Sequence, residues 1–416
     1  MSKCILHIGM SKTGSSSIQK TFFKHSSPYF NYKKSPQRLR YFDAFGQNPS
    51  QQLRLLFSKK PEKIYINVRK NISRIEADEY NNLNRGKLIK FLESYNECDV
   101  LISAEGLGGF SRDELESFKK FLNTYFDELE VVGYVRSPKS FMESAYQQNL
   151  KLEIDTFEPA KLYPNYRKRF EKYLDVFKKV ELWEFNPKSF KNNCVVSDFA
   201  SRLDIDTTGV KIKNSNEGYS LDALRILFAY RKYYGRGGYS QDVLQFNRDL
   251  NTLLTRIPGE KLKFSSKIIA PILDDKHDDI VWARNHLNLL LEENIYKDDD
   301  VGIDSEDDLL KCEPKAVAYL LNEMASMSQK VSSKKVENTY SVNEILYEQF
   351  IDMFKKDHVT SDIDDQNIEY ILNQVFTKTN SSLEENEVQK IVGLGLFKKR
   401  INKDGSMIFN VNPFKI

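Results

Sequence analysis

Residues 3–23 read KCILHIGMSKTGSSSIQKTFF, and the fold of the chain can be worked out from this stretch. The apolar run 4–8 has the composition of a buried strand and ends at Gly9. From Ser15 onward, apolar residues return at helical spacing, so the loop 9–17 joins a strand to the amino end of a helix. Such a loop offers backbone N–H groups, the positive end of a helix dipole, hydroxyls and a lysine. It therefore predicts a binding site for a phosphate or phosphosulfate group.

The order of residues within this loop points to one kind of anion. Lys12 precedes Gly14, whereas the common triphosphate-binding motif G-x-x-x-x-G-K-[ST] has its lysine after the second glycine. The string K-T-G-S-S (12–16) resembles the 5′-phosphosulfate loop of sulfotransferases that use 3′-phosphoadenosine 5′-phosphosulfate (PAPS). The longer string H-I-G-x-x-K-T-G-x-x-S-I-Q (7–19) resembles the bacterial carbohydrate-type branch of that family. Family loops carry Thr-Thr where this chain has Ser-Ser, so the hydroxyls are kept.

The resemblance assigns the phosphosulfate end of PAPS to the loop as a whole. The residues that would bind it are Gly9, Lys12, Thr13, Gly14, Ser15, Ser16 and Ser17. The alternative interpretation of this segment alone is a serine-rich turn in front of a surface helix.

A second transition from strand to helix follows much later in the chain. The run VVGYV (131–135) predicts a buried strand, Ser137 suits an N-cap and Pro138 suits the first helical position. Arg136 is then fixed at the end of the strand, and Ser144 lies two turns into the helix on the same face as Ser137. PAPS sulfotransferases bind the 3′-phosphate with an arginine and a serine at this spacing, and the resemblance gives Arg136 and Ser144 that role. Taken singly, these residues could instead be a surface ion pair and a solvated helix position.

Transfer of a sulfuryl group to an acceptor hydroxyl also needs a base that takes the proton of that hydroxyl. Glu105 directly follows the predicted strand 100–103, and the segment S-A-E (103–105) resembles the Ser-x-Glu segment of bacterial sulfotransferases. Glu105 could equally cap a helix or pair with a basic residue. His7 is the second candidate, although a hydrogen-bonded core histidine is the simpler interpretation inside a strand. We expect Lys12 to stabilise the charge that develops during transfer, and it could also serve as the acid.

Alternating short apolar strands and amphipathic helices predict an α/β fold of the P-loop type, with a parallel sheet flanked by helices and a mainly helical C-terminal part. Strands are predicted at 4–8, 64–68, 100–103, 131–135 and 180–185. In such sheets ligands bind at the carboxyl ends of strands, which is where both loops lie. A basic run on the helix predicted within 163–180, comprising Arg167, Lys168, Arg169 and Lys172, is interpreted as a solvated face.

We expect three parts along the chain. Residues 1–300 form the catalytic domain, 301–341 an acidic and polar connector with a helix, and 342–416 a small helical module ending in a β-hairpin. The module's helices are predicted at 342–354, 368–376 and 383–392, and its hairpin strands at 397–401 and 407–411. Because the third helix is rich in glutamate and not basic, we expect protein interaction or oligomerisation and not DNA binding.

Composition narrows the class of protein. A formal net charge of +3 over 416 residues gives no overall electrostatic field that would attract nucleic acid or membranes. No apolar run approaches the roughly 20 residues of a membrane span, and the amino end resembles a strand and not a signal peptide. The four cysteines lack metal-type spacing or a pairing pattern, which suits a reducing cytoplasm. We expect a cytoplasmic enzyme with no metal, no nucleic-acid partner and no membrane insertion.

The resemblance implies a sulfotransferase that moves a sulfuryl group from PAPS to a hydroxyl or amine of a carbohydrate or small hydroxylated acceptor. A small-molecule kinase with an atypical P-loop is one alternative, and it would need a magnesium carboxylate and a Gly-Lys order. A non-catalytic nucleotide-binding or scaffold protein is another. The family's adenosine loop, of the G-x-x-G-x-W-K type, is not found. Residues 234–239 have a similar composition but not the pattern, so the third nucleotide contact stays unassigned.

Overall fold

The structure is a computed structural model, and it describes most of the chain up to residue 323 and three short segments near its end. The described residues are 2–25, 29–31, 38–152, 155–213, 218–234, 241–291, 302–313, 315–320, 323, 388–391, 395–401 and 407–412. The helices predicted at 342–354 and 368–376 and most of the predicted connector lie outside these residues, as does the stretch 235–239.

The chain divides into two compact units that alternate along the sequence. One comprises Met1–Ala145, Ala160–Asn216 and Ile269–Lys297, and the other Tyr146–Pro159, Glu217–Ile268 and Asp298–Ile416. The three-part division expected from the sequence stays a prediction.

The first unit is built on a five-stranded, wholly parallel sheet with strand order β2-β3-β1-β4-β5. Its strands are β1 (Lys3–His7), β2 (Leu39–Tyr41), β3 (Asp99–Ser103), β4 (Glu128–Val135) and β5 (Lys179–Glu184). The helices of the chain in order are α1 (Ser15–Lys24), α2 (Ser50–Phe57), α3 (Tyr65–Arg69), α4 (Arg74–Ser94), α5 (Arg112–Leu122), α6 (Pro138–Lys151), α7 (Tyr166–Val176), α8 (Val195–Arg202), α9 (Leu221–Tyr234), α10 (Gln241–Leu254), α11 (Ser266–Asp275), α12 (His277–Leu287) and α13 (Glu306–Leu310). The predicted α/β fold, with helices around a parallel sheet and a mainly helical region after it, is confirmed.

The central position of β1 explains its continuous apolar run. β1 pairs with β3 on one side and β4 on the other, and both of its faces are covered, as in other parallel sheets. On one face, Phe22 of α1 and Phe199 of α8 pack against the sheet with no exposed surface. This packing fixes the amino end of α1 at the carboxyl edge of the sheet.

The strand predicted at 64–68 is wrong, because these residues lie in and beside the short helix α3. The place beside β3 is taken by β2, which comes from a stretch without clear periodicity. Asn67 is buried in α3 and donates from Nδ2 to the carbonyl of Pro61 at 3.0 Å. A five-residue apolar run does not distinguish strand from helix, and this local bond favours the helix.

The second unit contains α9, α10, α13 and a three-stranded antiparallel sheet. α9 begins after Ser220, whose hydroxyl accepts from the amide of Ala223 at 3.1 Å. The sheet consists of β6 (Val388–Ile391), β7 (Gly395–Ile401) and β8 (Met407–Asn412). The predicted hairpin is confirmed as the β7–β8 pair, whereas the helix predicted at 383–392 is wrong over β6. Residues 388–391 pair with β7, so strand pairing prevails there over helical propensity.

No helix among the described residues combines the length and the apolar character needed to cross a bilayer.

Candidate functional site

The first loop leaves β1 at the carboxyl edge of the sheet and stays close to β4. The amide of Met10 donates to the carbonyl of Tyr134 at 3.1 Å. Gly133 permits this close approach, since a Cβ atom there would lie 2.8 Å from the backbone nitrogen of Gly9. The loop is therefore held against the strand that carries the second motif.

The loop enters α1 through two residues with left-handed backbone conformation. Lys12 has φ of 65° and Gly14 has φ of 77°. A Cβ atom at Gly14 would also lie 2.7 Å from Cγ1 of Val195, so the position has both a conformational and a steric reason to be glycine. The turn brings the amino end of α1 directly after Lys12.

The first turn of α1 leaves amide donors at the sheet edge. The earliest hydrogen bonds to the Gly14 carbonyl come from the amides of Ser17 and Ile18, at 2.9 and 3.2 Å. The amides of Ser15 and Ser16 precede this ladder, so they are among the donors that a helix start cannot satisfy internally. With no acidic residue in the first turn, the positive end of the helix is suited to an anion.

Two buried polar atoms face the same point above Gly9. The Ser15 hydroxyl oxygen and His7 Nε2 each lie 3.1 Å from the position that a Cβ atom would take at Gly9. Neither atom has a hydrogen-bond partner in the described part of the chain, although both residues are almost fully buried. The Thr13 hydroxyl is 3.4 Å from the same position and donates to the carbonyl of Met10 at 2.6 Å. Its proton is thus directed to the backbone and not outward.

His7 is a neutral histidine at the end of β1. Its Nδ1 atom is 2.8 Å from the Ser103 hydroxyl, and its ring packs 4.8 Å from the ring of Phe199. Burial lowers the pKa of His7 to about 3. The ring can therefore donate or accept one hydrogen bond through Nε2, but it is a weak base.

Glu105 follows β3 at the same edge and begins a 3-10 turn that spans Glu105–Gly109. Burial raises the pKa of Glu105, while the charges of Lys12 and Arg169 and the nearby hydroxyl of Ser15 oppose that rise. The Ser15 hydroxyl lies near the carboxyl but makes no hydrogen bond to it. A carboxylate that is partly desolvated in this way is a stronger base than one in water.

Arg136 joins the second motif to the first. Its guanidinium donates from Nη1 to the carbonyl of Lys12 at 2.9 Å and from Nε to the Ser140 hydroxyl at 2.6 Å. The same group lies 5.3 Å from the ring centroid of Phe185, and the Arg136 carbonyl accepts from the hydroxyl of Tyr166 at 2.7 Å. The structure thus brings the two predicted loops together at one sheet edge.

The serine that contacts Arg136 is Ser140, which the sequence did not single out. Ser144 lies one helical turn further along α6 and is half-buried. Ser137, Ser140 and Ser144 share a face because they follow one another at intervals of three and four positions. The spacing could have indicated Ser140 as well, since it is the nearer serine on that face.

Lys12 lies between charges of both signs. Burial lowers the pKa of Lys12, the positive charge of Arg136 lowers it further, and Glu105 partly offsets this effect. The charges of Lys12 and Arg169 both act on Glu105, and Arg136 lies beside the Lys12 carbonyl, which leaves an excess of positive charge at the edge of the sheet. Among the described residues, no group of three His, Cys, Asp or Glu side chains is placed to hold a metal ion.

The solvated face predicted for α7 is wrong for two of its four basic residues. Lys172 donates to the carbonyls of Gly108 and Phe110 at 2.8 and 2.5 Å, and burial lowers its pKa to about 8. Arg169 is half-buried, and its Nη1 lies 3.5 Å from the Cβ position of Gly108. Charge pattern alone could not reveal that this face of α7 packs on the turn that begins with Glu105.

Neither a protein-family model nor a curated protein matches this chain significantly. Among solved structures, the chain is similar to one described as "Molecular and structural characterization of the PezAT chromosomal toxin-antitoxin system of the human pathogen Streptococcus pneumoniae". The alignment has 13% sequence identity and a TM-score of 0.25, and it covers 62% of this chain and 88% of the other. At this level the likeness carries no functional argument.

Proposed function

We propose that this chain is a PAPS-dependent sulfotransferase that acts on a hydroxyl or amine of a carbohydrate or small hydroxylated acceptor. The observation that carries the proposal is the hydrogen bond from Arg136 to the carbonyl of Lys12. It places the phosphosulfate-type loop and the arginine of the second motif side by side, as a single nucleotide with anionic groups at both ends requires.

The residues of the loop fit a tetrahedral anion. The amides of Ser15 and Ser16 and the unpartnered hydroxyl of Ser15 are donors at the amino end of a helix, and Lys12 shortly precedes that helix in the loop. A Cβ atom at Gly9 would fill the space in front of Ser15 and His7. These features support assignment of the phosphosulfate to residues 9–17 and of the 3′-phosphate to Arg136, with Ser140 and Ser144 nearby.

The proposed chemistry uses few side chains. PAPS supplies a sulfuryl group whose S–O bond to the 5′-phosphate breaks as the acceptor oxygen bonds to sulfur. Lys12 stabilises the negative charge on the oxygens during transfer, and Glu105 takes the proton of the acceptor hydroxyl. His7 contributes a hydrogen bond through Nε2 and not a charge, because it stays neutral at pH 7.

Calorimetric titration with adenosine 3′,5′-bisphosphate and with ATP tests the proposal at the level of binding. We expect the bisphosphate to bind and ATP to bind at least tenfold more weakly. Arg136→Ala should weaken bisphosphate binding by about tenfold or more, because a charge-assisted hydrogen bond contributes about 1.5–3 kcal/mol. Arg167→Ala is the matched control, since Arg167 is 60% exposed and pairs with Glu171.

Transfer of labelled sulfate from PAPS to a panel of glycans and phenols tests the reaction itself. Lys12→Ala should lower the rate by more than tenfold, whereas Lys20→Ala, an exposed lysine on α1, should not change it. Tight ATP binding with phosphate transfer would favour the kinase alternative. Bisphosphate binding without sulfate transfer to any acceptor would favour a non-catalytic nucleotide-binding protein.

We also propose that the protein acts in the cytoplasm. All four cysteines are free thiols, and Cys4 and Cys312 are buried. This usage suits a reducing compartment. Cell fractionation followed by immunodetection would test the location, and recovery in an oxidising compartment would contradict it.

A further inference from the structure

Arg169 is a cation at the candidate site to which the proposed nucleotide contacts give no role. It lies on α7 and approaches the turn Glu105–Gly109, where its Nη1 atom lies 3.5 Å from the Cβ position of Gly108. Its Nε atom is buried and has no hydrogen-bond partner in the described part of the chain. A buried charged donor without a partner is costly, so the position is suited to an anion that arrives with a ligand.

A second arginine lies on the same turn. Cζ of Arg54, on α2, lies 3.0 Å from the Cβ position of Gly109, and Arg54 is exposed. One guanidinium thus lies near each of the two adjacent glycines. The negative charge of Glu105 acts on Arg169. Positive charge therefore lies next to the turn that begins with the proposed base.

We propose that the acceptor carries an anionic group, a carboxylate, phosphate or sulfate, and that Arg169 binds this group beside Glu105. This inference rests on the proposed function, since it concerns the second substrate of the same site. Arginine is suited to the task because its planar donors match the oxygens of these anions in pairs. The anion would fix the acceptor so that its hydroxyl meets Glu105.

The test uses the full chain saturated with adenosine 3′,5′-bisphosphate and sugars that differ in one group. Methyl β-glucuronide is compared with methyl β-glucoside, and glucose 6-phosphate with glucose, by NMR-detected titration. We expect each charged sugar to bind at least about tenfold more tightly than its neutral partner. Arg169→Gln should reduce that preference to within about twofold, and Arg169→Lys should retain part of it, because charge remains but paired donors are lost.

Arg167→Gln on the same helix is the control and should keep the full preference. A bisphosphate titration without sugar tests the proposed function separately, and Arg169→Gln should leave that affinity within about twofold of wild type. The inference is overturned if wild type binds charged and neutral sugars equally, binds no charged sugar, or keeps its preference in Arg169→Gln. Loss of bisphosphate affinity in Arg169→Gln would assign the arginine to the nucleotide and overturn it too. The two sugar pairs show whether a planar or a tetrahedral anion is preferred.

Discussion

Gly14 and His7 show that the loop residues are fixed for different physical reasons. Gly14 is required by backbone conformation and by its contact with Val195. His7 is held by the Ser103 hydroxyl and by burial, which keep it uncharged. The requirement for glycine at position 14 affects stability at any pH. The burial of His7 affects stability only at acid pH, where the ring would otherwise take up a proton.

Replacing Gly14 should destabilise the fold. The left-handed conformation costs about 1–2 kcal/mol for alanine, and the clash with Val195 should bring the total to about 2–4 kcal/mol. Urea denaturation measures the change. Gly46→Ala is the control for conformation alone, because Gly46 has φ of 80° and nothing lies within 4 Å of its Cβ position. Equal losses in the two variants would show that the Val195 contact is unimportant.

His7 should make the fold sensitive to acid. Its pKa is about 3 in the folded chain against an ordinary value of 6.5, so the unfolded state binds more protons between these pH values. The free energy of unfolding should therefore fall as pH drops from 6.5 towards 3, by up to about 1.4 kcal/mol per pH unit. In His7→Gln this contribution disappears, and urea denaturation at several pH values should give a flatter curve. His277→Gln, at an exposed position, should follow wild type; parallel curves for His7→Gln and wild type would contradict the assignment.

Helix α7 connects more parts of the site than its sequence suggests. Tyr166 donates to the Arg136 carbonyl, Lys172 donates to carbonyls of the turn after Glu105, and the charge of Arg169 acts on that carboxylate. The amino end of α7 lacks a side-chain cap of its own, since Asn165 makes no capping hydrogen bond. Asp279 of α12 takes this role, accepting from the amides of Tyr166 and Arg167 at 2.8 and 2.9 Å.

Removing the Asp279 cap should destabilise α7, although Asp279 lies on another helix. Asp279→Ala leaves two helix amides and the Tyr163 hydroxyl without their acceptor, so we expect a loss of about 1–2 kcal/mol in unfolding free energy. Asp279→Asn, which keeps one acceptor oxygen, should lose less. Asp278→Ala, at an exposed neighbouring position, is the control. If Asp279→Ala unfolds at the same urea concentration as that control, the capping assignment is wrong.

The positive charge of the candidate site contrasts with the near balance of the molecule. The formal net charge is only +3, yet Lys12 and Arg136 lie together at one edge of the sheet, where the positive charge of Arg136 lowers the pKa of Lys12. An electrostatic contribution to ligand binding must therefore come from this local cluster.

Salt should weaken binding of the bisphosphate but not of adenosine. Raising NaCl from about 0.05 to 0.5 M shortens the screening length, so the Kd for adenosine 3′,5′-bisphosphate should rise several-fold. Uncharged adenosine should bind weakly with a Kd that stays nearly constant. Calorimetry at several salt concentrations measures both. A bisphosphate Kd independent of salt would exclude a large contribution from the cluster.

The features that could be predicted from the sequence are those specified by short local patterns of residues. The strand, glycine and serine pattern around Lys12 and the Ser-Pro pair after Arg136 specify their transitions within a few residues, and both loops are where they were expected. The β2 strand and helix α3 could not be predicted, because short segments without periodicity depend on which neighbours they meet. Arg169 was missed for the same reason, since its burial depends on a turn far away in the sequence.

The bond between Arg136 and the Lys12 carbonyl would make the two halves of the proposed nucleotide site interdependent. If the proposed 3′-phosphate drew the guanidinium away from the Lys12 carbonyl, the loop would lose this hydrogen bond, so occupancy of one half would change the affinity of the other. We therefore expect that the binding free energies of fragments carrying only one anionic end do not add up to that of the intact nucleotide. The difference between the sum and the whole is a thermodynamic coupling, and Arg136 is the residue through which it is transmitted.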